Sequence, residues 1–308
     1  MEWYRSALAH AEAALKITPD IVGALLAVGT AHFNTAVIER REGRDSGASL
    51  DQSWAAYSKV LSRNPDHAEA LSARSLVSIH RGLRLRDARQ PGSGNCYRAA
   101  IKDLDRAAAL NPRNANAWRS RGAAGFHLSQ SRETDDPESD LEKAIAAYGK
   151  SIEANPSVAE SWVGRATAFG YLGNAQRSQR IDAGPTYEKA IADCTQALKL
   201  SPALPDALYR RATSLSSWAL NSGPKAVERF ERAIADYDEL LKGSPTHAEG
   251  WMRRGMAHWN LARVAGEADR RKHYAAAARD YEKAMSLSHQ WDDVIGPNLE
   301  EARRKSEE

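Results

Sequence analysis

Apolar residues recur along the chain in runs spaced four, three and four, and each run ends shortly before a proline that follows Asn, Ser or Thr. The prolines are Pro19, Pro65, Pro112, Pro156, Pro202 and Pro245, with steps of 46, 47, 44, 46 and 43 residues, and His289 stands 44 further on. Fifteen residues before these seven marks lie Tyr4, Leu50, Tyr97, Leu141, Tyr187, Phe230 and Tyr274. Eleven, eight and four before, the face continues, as with Ile101, Leu104 and Ala108 or with Trp54, Tyr57 and Leu61. Such spacing places all four positions on one side of a helix. Twelve before, the residue is always small: Ala7, Ser53, Ala100, Ala144, Ala190, Ala233 and Ala277. Six after each proline stand Leu25, Leu71, Trp118, Trp162, Leu208 and Trp251, and ten after stand the small residues Gly29, Ser75, Gly122, Ala166, Ala212 and Gly255. Each period therefore predicts two helices, one after the proline and one before the next. The residue ahead of each proline reads as an N-cap, with Pro at the first helical position. Trp54 and the tryptophans six after the prolines read as core.

A self-similar period of this length is the mark of a repeat array, in which neighbouring units share one continuous core. The large–small step in the first helix, the small–aromatic–small second helix and the closing proline resemble the tetratricopeptide repeat over essentially the whole chain. That resemblance implies an all-α fold, a right-handed superhelical solenoid of antiparallel helix pairs. It also implies a concave groove lined by first helices, where a protein or peptide binds. The departure is length, 43 to 47 residues here against 34 in the family. HEAT and armadillo repeats have the length but not the small–aromatic–small pattern. The surplus lies between the helices of each unit, at 40–48, 84–95, 131–138, 177–185, 221–224 and 266–271. The helices themselves are expected to run longer, with Leu83, Leu128, Leu172, Trp218 and Leu261 extending the buried side of the first ones. This longer unit resembles repeats of bacterial multidomain proteins, some of which carry a serine/threonine kinase domain.

The expected organisation is a single solenoid over 1–308. It comprises a half repeat at 1–18, repeats at 19–64, 65–111, 112–155, 156–201, 202–244 and 245–288, and a capping segment at 289–308. In the cap, a short stretch stops at Gly296-Pro297, and Asn298 with Glu301 reads as the start of a last helix. Beginning on a second-type helix suggests either a cap or a segment of a larger bacterial enzyme that regulates it or self-associates through that half repeat.

Composition narrows the function classes. The chain is 42% hydrophobic and 27% charged, as folded chains are. Its net charge of +3, from 43 basic and 40 acidic residues, supplies no bulk attraction to nucleic acid or membrane. The longest apolar run, 21–28, is too short to span a bilayer. Cys96 and Cys194 make no disulfide framework or zinc site, and a cytoplasmic setting is expected. Walker, nucleophile-elbow, zincin and dinucleotide fingerprints are missing. The expectation is a non-enzymatic interaction scaffold without cofactor or metal, whose partner is a protein or peptide and not nucleic acid or membrane.

Two polar patterns ride on the repeat. Nine after five of the prolines stands Arg74, Arg121, Arg165, Arg211 or Arg254, and nine before the next mark stands Asp103, Ala147, Asp193, Asp236 or Asp280. These predict ion pairs between the helices of a unit rather than a ligand site. The groove positions implied by the resemblance fall four, seven, eight, eleven and fifteen after the proline. They include the acidic row Glu69, Glu160, Asp206 and Glu249 with Asn116, then Arg119, Tyr209, Arg210 and Arg253, then His127, Tyr171, Met256 and Asn260. Trp259 stands beside them. Arg210 and Arg253, in register in adjacent units, could hold a carboxylate or phosphate.

Overall fold

The computed structural model describes residues 2–308, with side chains described from residue 8 onward apart from Ala268. Tyr4 and Ala7, the first members of their series, lie outside the described side chains. The fold is all-α, with fourteen α-helices and no strand among the described residues. The chain divides into two compact units, Met1–Pro156 and Ser157–Glu308.

The first unit holds α1 (Glu2–Ile17), α2 (Val22–Arg41), α3 (Gly47–Arg63), α4 (Ala68–Asp87), α5 (Ser93–Leu110), α6 (Ala115–Ser129) and α7 (Pro137–Ala154). The second holds α8 (Ala159–Ser178), α9 (Gly184–Leu200), α10 (Pro205–Ala219), α11 (Ala226–Gly243), α12 (Ala248–Val264), α13 (Glu267–Leu287) and α14 (Asp292–Glu307). Within each unit every helix packs on the next in sequence, and the short connections make neighbours antiparallel. The first helices also touch one another, α2 to α4 to α6 in one unit and α8 to α10 to α12 in the other.

Close approach within a pair follows from the small residues. A Cβ built on Gly29, Gly122 or Gly255 would stand 2.7, 2.8 or 2.9 Å from the ring of Tyr57, Tyr148 or Tyr281. Each tyrosine ring packs where its partner helix has no side chain. A second tier of the same device joins Gly82 to Tyr97 and Gly173 to Tyr187, where the added atom would meet the ring at 2.5 and 2.8 Å. The small residues on the second helices are fully buried, Ser53, Ala100, Ala144, Ala190, Ala233 and Ala277 alike. Ser53 turns its Oγ to the carbonyl of Gly29 at 2.7 Å, so its burial leaves no orphan donor.

The predicted ion pairs form. Arg74 grips Asp103, Arg165 Asp193, Arg211 Asp236 and Arg254 Asp280, each through two hydrogen bonds of 2.6–2.8 Å. Arg121, whose partner place holds Ala147, turns back to Asp105 on the preceding helix at 3.1 Å.

Six sequence readings are corrected. The prolines do not open helices: Asn64, Asn111, Asn155, Ser201 and Ser244 are the C-caps of the second helices. Their extended backbone suits a residue before proline. The next N-caps come two residues after the proline, where the side chains of His67, Asn114 and His247 accept a backbone N–H. Trp54 is 38% exposed, beneath the guanidinium groups of Arg74 and Arg81, instead of core. Trp118 and Trp251 are half-buried, because each indole N–H donates to its proline's carbonyl at the helix start, 2.9 Å away. Lengthened first helices occur in α2, α4 and α8, with 20 residues each, whereas α6 and α10 stop at 15. In the last repeat most of 266–271 is already helix α13. At the C-terminus α14 runs straight through Pro297, held by buried Ile295, Leu299 and Ala302 against α13. Asn298 is inside that helix rather than at its cap.

Helix α2, 20 residues with mean hydropathy 1.2, is long and apolar enough by length and composition to cross a membrane. In its unit it packs between α1 and α3 and buries Ala24, Leu25, Gly29, Ala31 and Ala36.

Candidate functional site

The second unit contains an open cavity of about 590 Å³ on the side where α8, α10 and α12 lie next to one another. Its walls come from all three: Tyr171, Asn174 and Arg177 from α8, Tyr209, Arg210, Thr213, Ser216 and Ser217 from α10, and Glu249, Arg253, Met256 and Asn260 from α12. Phe230 and Tyr237 of α11 close its floor. Polar groups dominate the walls and aromatic rings the base, the usual division between orientation and burial in a binding site.

The base is fixed by hydrogen bonds. Tyr209 donates to Glu249 at 2.6 Å, and Arg253 reaches the same oxygen at 3.4 Å. The Tyr237 and Thr213 hydroxyls are 3.1 Å apart, and the Tyr209 and Tyr237 rings meet edge to face. Tyr187, packed behind, donates to Asn174 at 2.7 Å. Burial pushes the Tyr237 phenol up to about 12 and the Tyr209 phenol well above its ordinary range, so both stay neutral and act as donors. Desolvation opposes the charge of Arg253, but the surrounding Tyr209, Tyr237 and Glu249 outweigh it and hold its pKa above the ordinary value.

Seven of the residues anticipated for the groove meet here: Tyr171, Tyr209, Arg210, Glu249, Arg253, Met256 and Asn260. Glu160 and Asp206 are exposed in the first turns of α8 and α10, where they complement the helix dipole, and only Glu249 of the acidic row turns into the cavity. Glu69, Asn116, Arg119 and His127 belong to the first unit. There His127 stacks on Tyr97, and burial first, then Arg86 and Arg40, lower its pKa to about 4. Trp259 does not line the cavity; it packs edge-on against Tyr274 in the core that seats α14. Thr213 and Ser217 stand at the same offsets, eleven and fifteen, that pointed to the others. Asn174 and Arg177 lie beyond those offsets, and only the extra turns of α8 bring them in.

Other chemistry is sparse. No cluster of three or more His, Cys, Asp or Glu side chains suited to a metal occurs among the described residues. Burial raises the Cys96 thiol and takes that of Cys194 to about 12, so both are poor nucleophiles near neutral pH.

These features define a helical-repeat protein whose polar cavity is built by successive first helices. Residues 92–131 and 225–284 match the family described as tetratricopeptide repeat. The match covers these two stretches, about a third of the chain. Comparison with curated proteins in sequence gives no match. Among solved structures, a tetratricopeptide repeat protein from Parabacteroides merdae is 17% identical, with a TM-score of 0.52 over 98% of this chain and 100% of that one. TTC0263 of Thermus thermophilus, a thermophilic protein of the same kind, is 20% identical, with a TM-score of 0.50 over 74% of this chain and 98% of that one. The S. pombe nuclear import adaptor Nro1 is 11% identical, with a TM-score of 0.61 over 91% of this chain and 99% of that one. At these identities the likeness is one of fold. The matched repeats support a protein–protein interaction scaffold.

Proposed function

We propose that this scaffold holds a segment of a partner protein, in a cytoplasmic setting, against the row of first helices α8, α10 and α12. The observation that carries the reading is the cavity of about 590 Å³, where three successive first helices turn hydrogen-bonding side chains to one open space. A scaffold needs little more than that: an apolar floor for burial and fixed donors and acceptors for register. Peptides selected from a displayed library on the whole chain provide the test, with a photo-crosslinking amino acid at Tyr171, which is 38% exposed on the rim. Crosslinking from 171 and none from the same probe at Lys242, at the end of α11, supports the reading. Equal yields at both places, or a library that returns no binder, would remove it.

A further inference from the structure

The charges on the cavity wall are not balanced. Arg177, Arg210 and Arg253 reach it from α8, α10 and α12, one guanidinium per helix. Among the described residues, Glu249 is the one carboxylate on the lining, where the Tyr209 hydroxyl donates to it at 2.6 Å and Arg253 pairs with it at 3.4 Å, leaving Arg177 and Arg210 without a carboxylate on the lining. Three cations against one anion leave a formal excess of two positive charges. Elsewhere on these helices the pattern is different: Arg165, Arg211 and Arg254 each have an aspartate of their own. The buried Nε atoms of Arg177 and Arg253 have no hydrogen-bond partner. A buried donor left in this condition is costly, so the guanidiniums have not spent their hydrogen-bonding capacity on the protein.

The geometry favours one kind of oxyanion. A carboxylate is planar, carries one charge and is matched by one guanidinium fork. Three guanidiniums that line one cavity from three helices suit a tetrahedral group with three acceptor oxygens and a charge near −2. A phosphorylated side chain at neutral pH has those properties. The hydroxyl of Ser217 lies on the same wall. The volume exceeds that of a phosphate group, which leaves room for flanking peptide. We infer that the cavity receives a phosphorylated side chain of a partner protein, docked between Arg177, Arg210 and Arg253. This rests on the reading that the cavity takes a partner segment, and it specifies the chemistry of that segment.

Three degenerate peptide pools, identical except for a fixed central phosphoserine, glutamate or serine, test it by fluorescence anisotropy on the whole chain. The phosphoserine pool should bind at least about tenfold more tightly than the glutamate pool. Arg210→Gln and Arg177→Gln should each erase most of that preference. Arg210→Lys, which keeps charge and loses the fork, should retain part of it, with circular dichroism confirming an intact fold for every variant. Glutamate binding as well as phosphoserine, a preference that survives both glutamine variants, or displacement of the phosphopeptide by single-stranded RNA at lower concentration would overturn the inference. Binding of all three pools alike, with crosslinking from 171, leaves the scaffold reading standing and removes this one. No binding of any pool removes both.

Discussion

The ion pair between Arg211 and Asp236 separates structural from ligand-directed charge. Its two bonds measure 2.7 and 2.8 Å, and the side chains are 23% and 10% exposed. Replacing Asp236 by Ala leaves a guanidinium between two packed helices, with Thr195 at 3.2 Å as its remaining partner. Breaking a fully buried pair costs about 3–5 kcal/mol. Because the arginine keeps a fifth of its surface in water, the expected loss here is smaller, about 2–3 kcal/mol. Replacing both partners, Arg211→Met with Asp236→Leu, removes the stranded charge together with the pair and should cost about 0–1 kcal/mol. The exposed pair Arg303–Glu282, with side chains 57% and 47% exposed, is the control, and Arg303→Ala should cost below about 1 kcal/mol. Urea melts followed by helical ellipticity, fitted as a repeat array, measure all four proteins. A double variant as unstable as Asp236→Ala would refute the reasoning, since stranded charge would then not be the main cost.

Three further outcomes follow from the packing and the buried histidines. Gly173→Ala places a methyl 2.8 Å from the Tyr187 ring and should destabilise by about 1–3 kcal/mol, whereas Gly23→Ala meets nothing within 4 Å inside α2 and should stabilise by about 0.5–1 kcal/mol, both read from urea midpoints. His258 is lowered to about 3 by burial and then by His273, Arg254, Arg279 and Lys272. Its unfolded value is higher, so the unfolded chain binds the extra proton; stability should fall as pH drops from about 6.5 toward 3, by up to about 1.4 kcal/mol per pH unit, and His258→Gln should flatten that slope in melts at stepped pH. Ser217→His, which copies the residue at the same offset in the first unit, should fill the cavity and weaken binding of any selected peptide at least about tenfold in anisotropy, with the urea midpoint shifted by less than about 1 kcal/mol.

The helix pairs were legible because their packing is local and repeated. Tyr57, Tyr148 and Tyr281 sit a fixed distance from small residues, and a contact required in every unit leaves a period in the chain. The Arg–Asp pairs were legible for the same reason. The turns were misread because Asn or Ser before proline suits an N-cap and a C-cap equally; which one forms depends on whether the helix before or after reaches it. Trp54 was misread because a hydrophobic position records residue type and not depth, and two arginines cover this indole at the surface. The continuation of α14 through Pro297 was hidden as well. A proline inside a helix costs about 3 kcal/mol through its lost hydrogen bond and ring clash, and the burial of Ile295, Leu299 and Ala302 that offsets it is a tertiary fact.

The cavity illustrates what a repeat conceals. Fourteen and fifteen residues after the proline, the first unit carries Phe33, Asn34, Ile79, His80, Phe126 and His127. There Phe33 meets His80 edge-on at 4.9 Å and His127 stacks on Tyr97 at 5.5 Å, so rings occupy the space beside the first helices. At the same two offsets the second unit carries Gly170, Tyr171, Ser216, Ser217, Trp259 and Asn260, and the volume opens beside the two serines of the middle helix α10. Both units keep the same tyrosine-on-glycine seam, so the difference costs the fold little and alters what the inner row presents to a partner. A period shows where every unit must agree; the site lies where one set of units stops following the others. The arginines follow this rule too. Arg40, Arg86 and Arg177 all stand twenty-one after their prolines. The first two lie near Asp87, which Arg40 contacts at 2.7 Å and Arg86 at 3.1 Å, while Arg177 reaches the opened space instead.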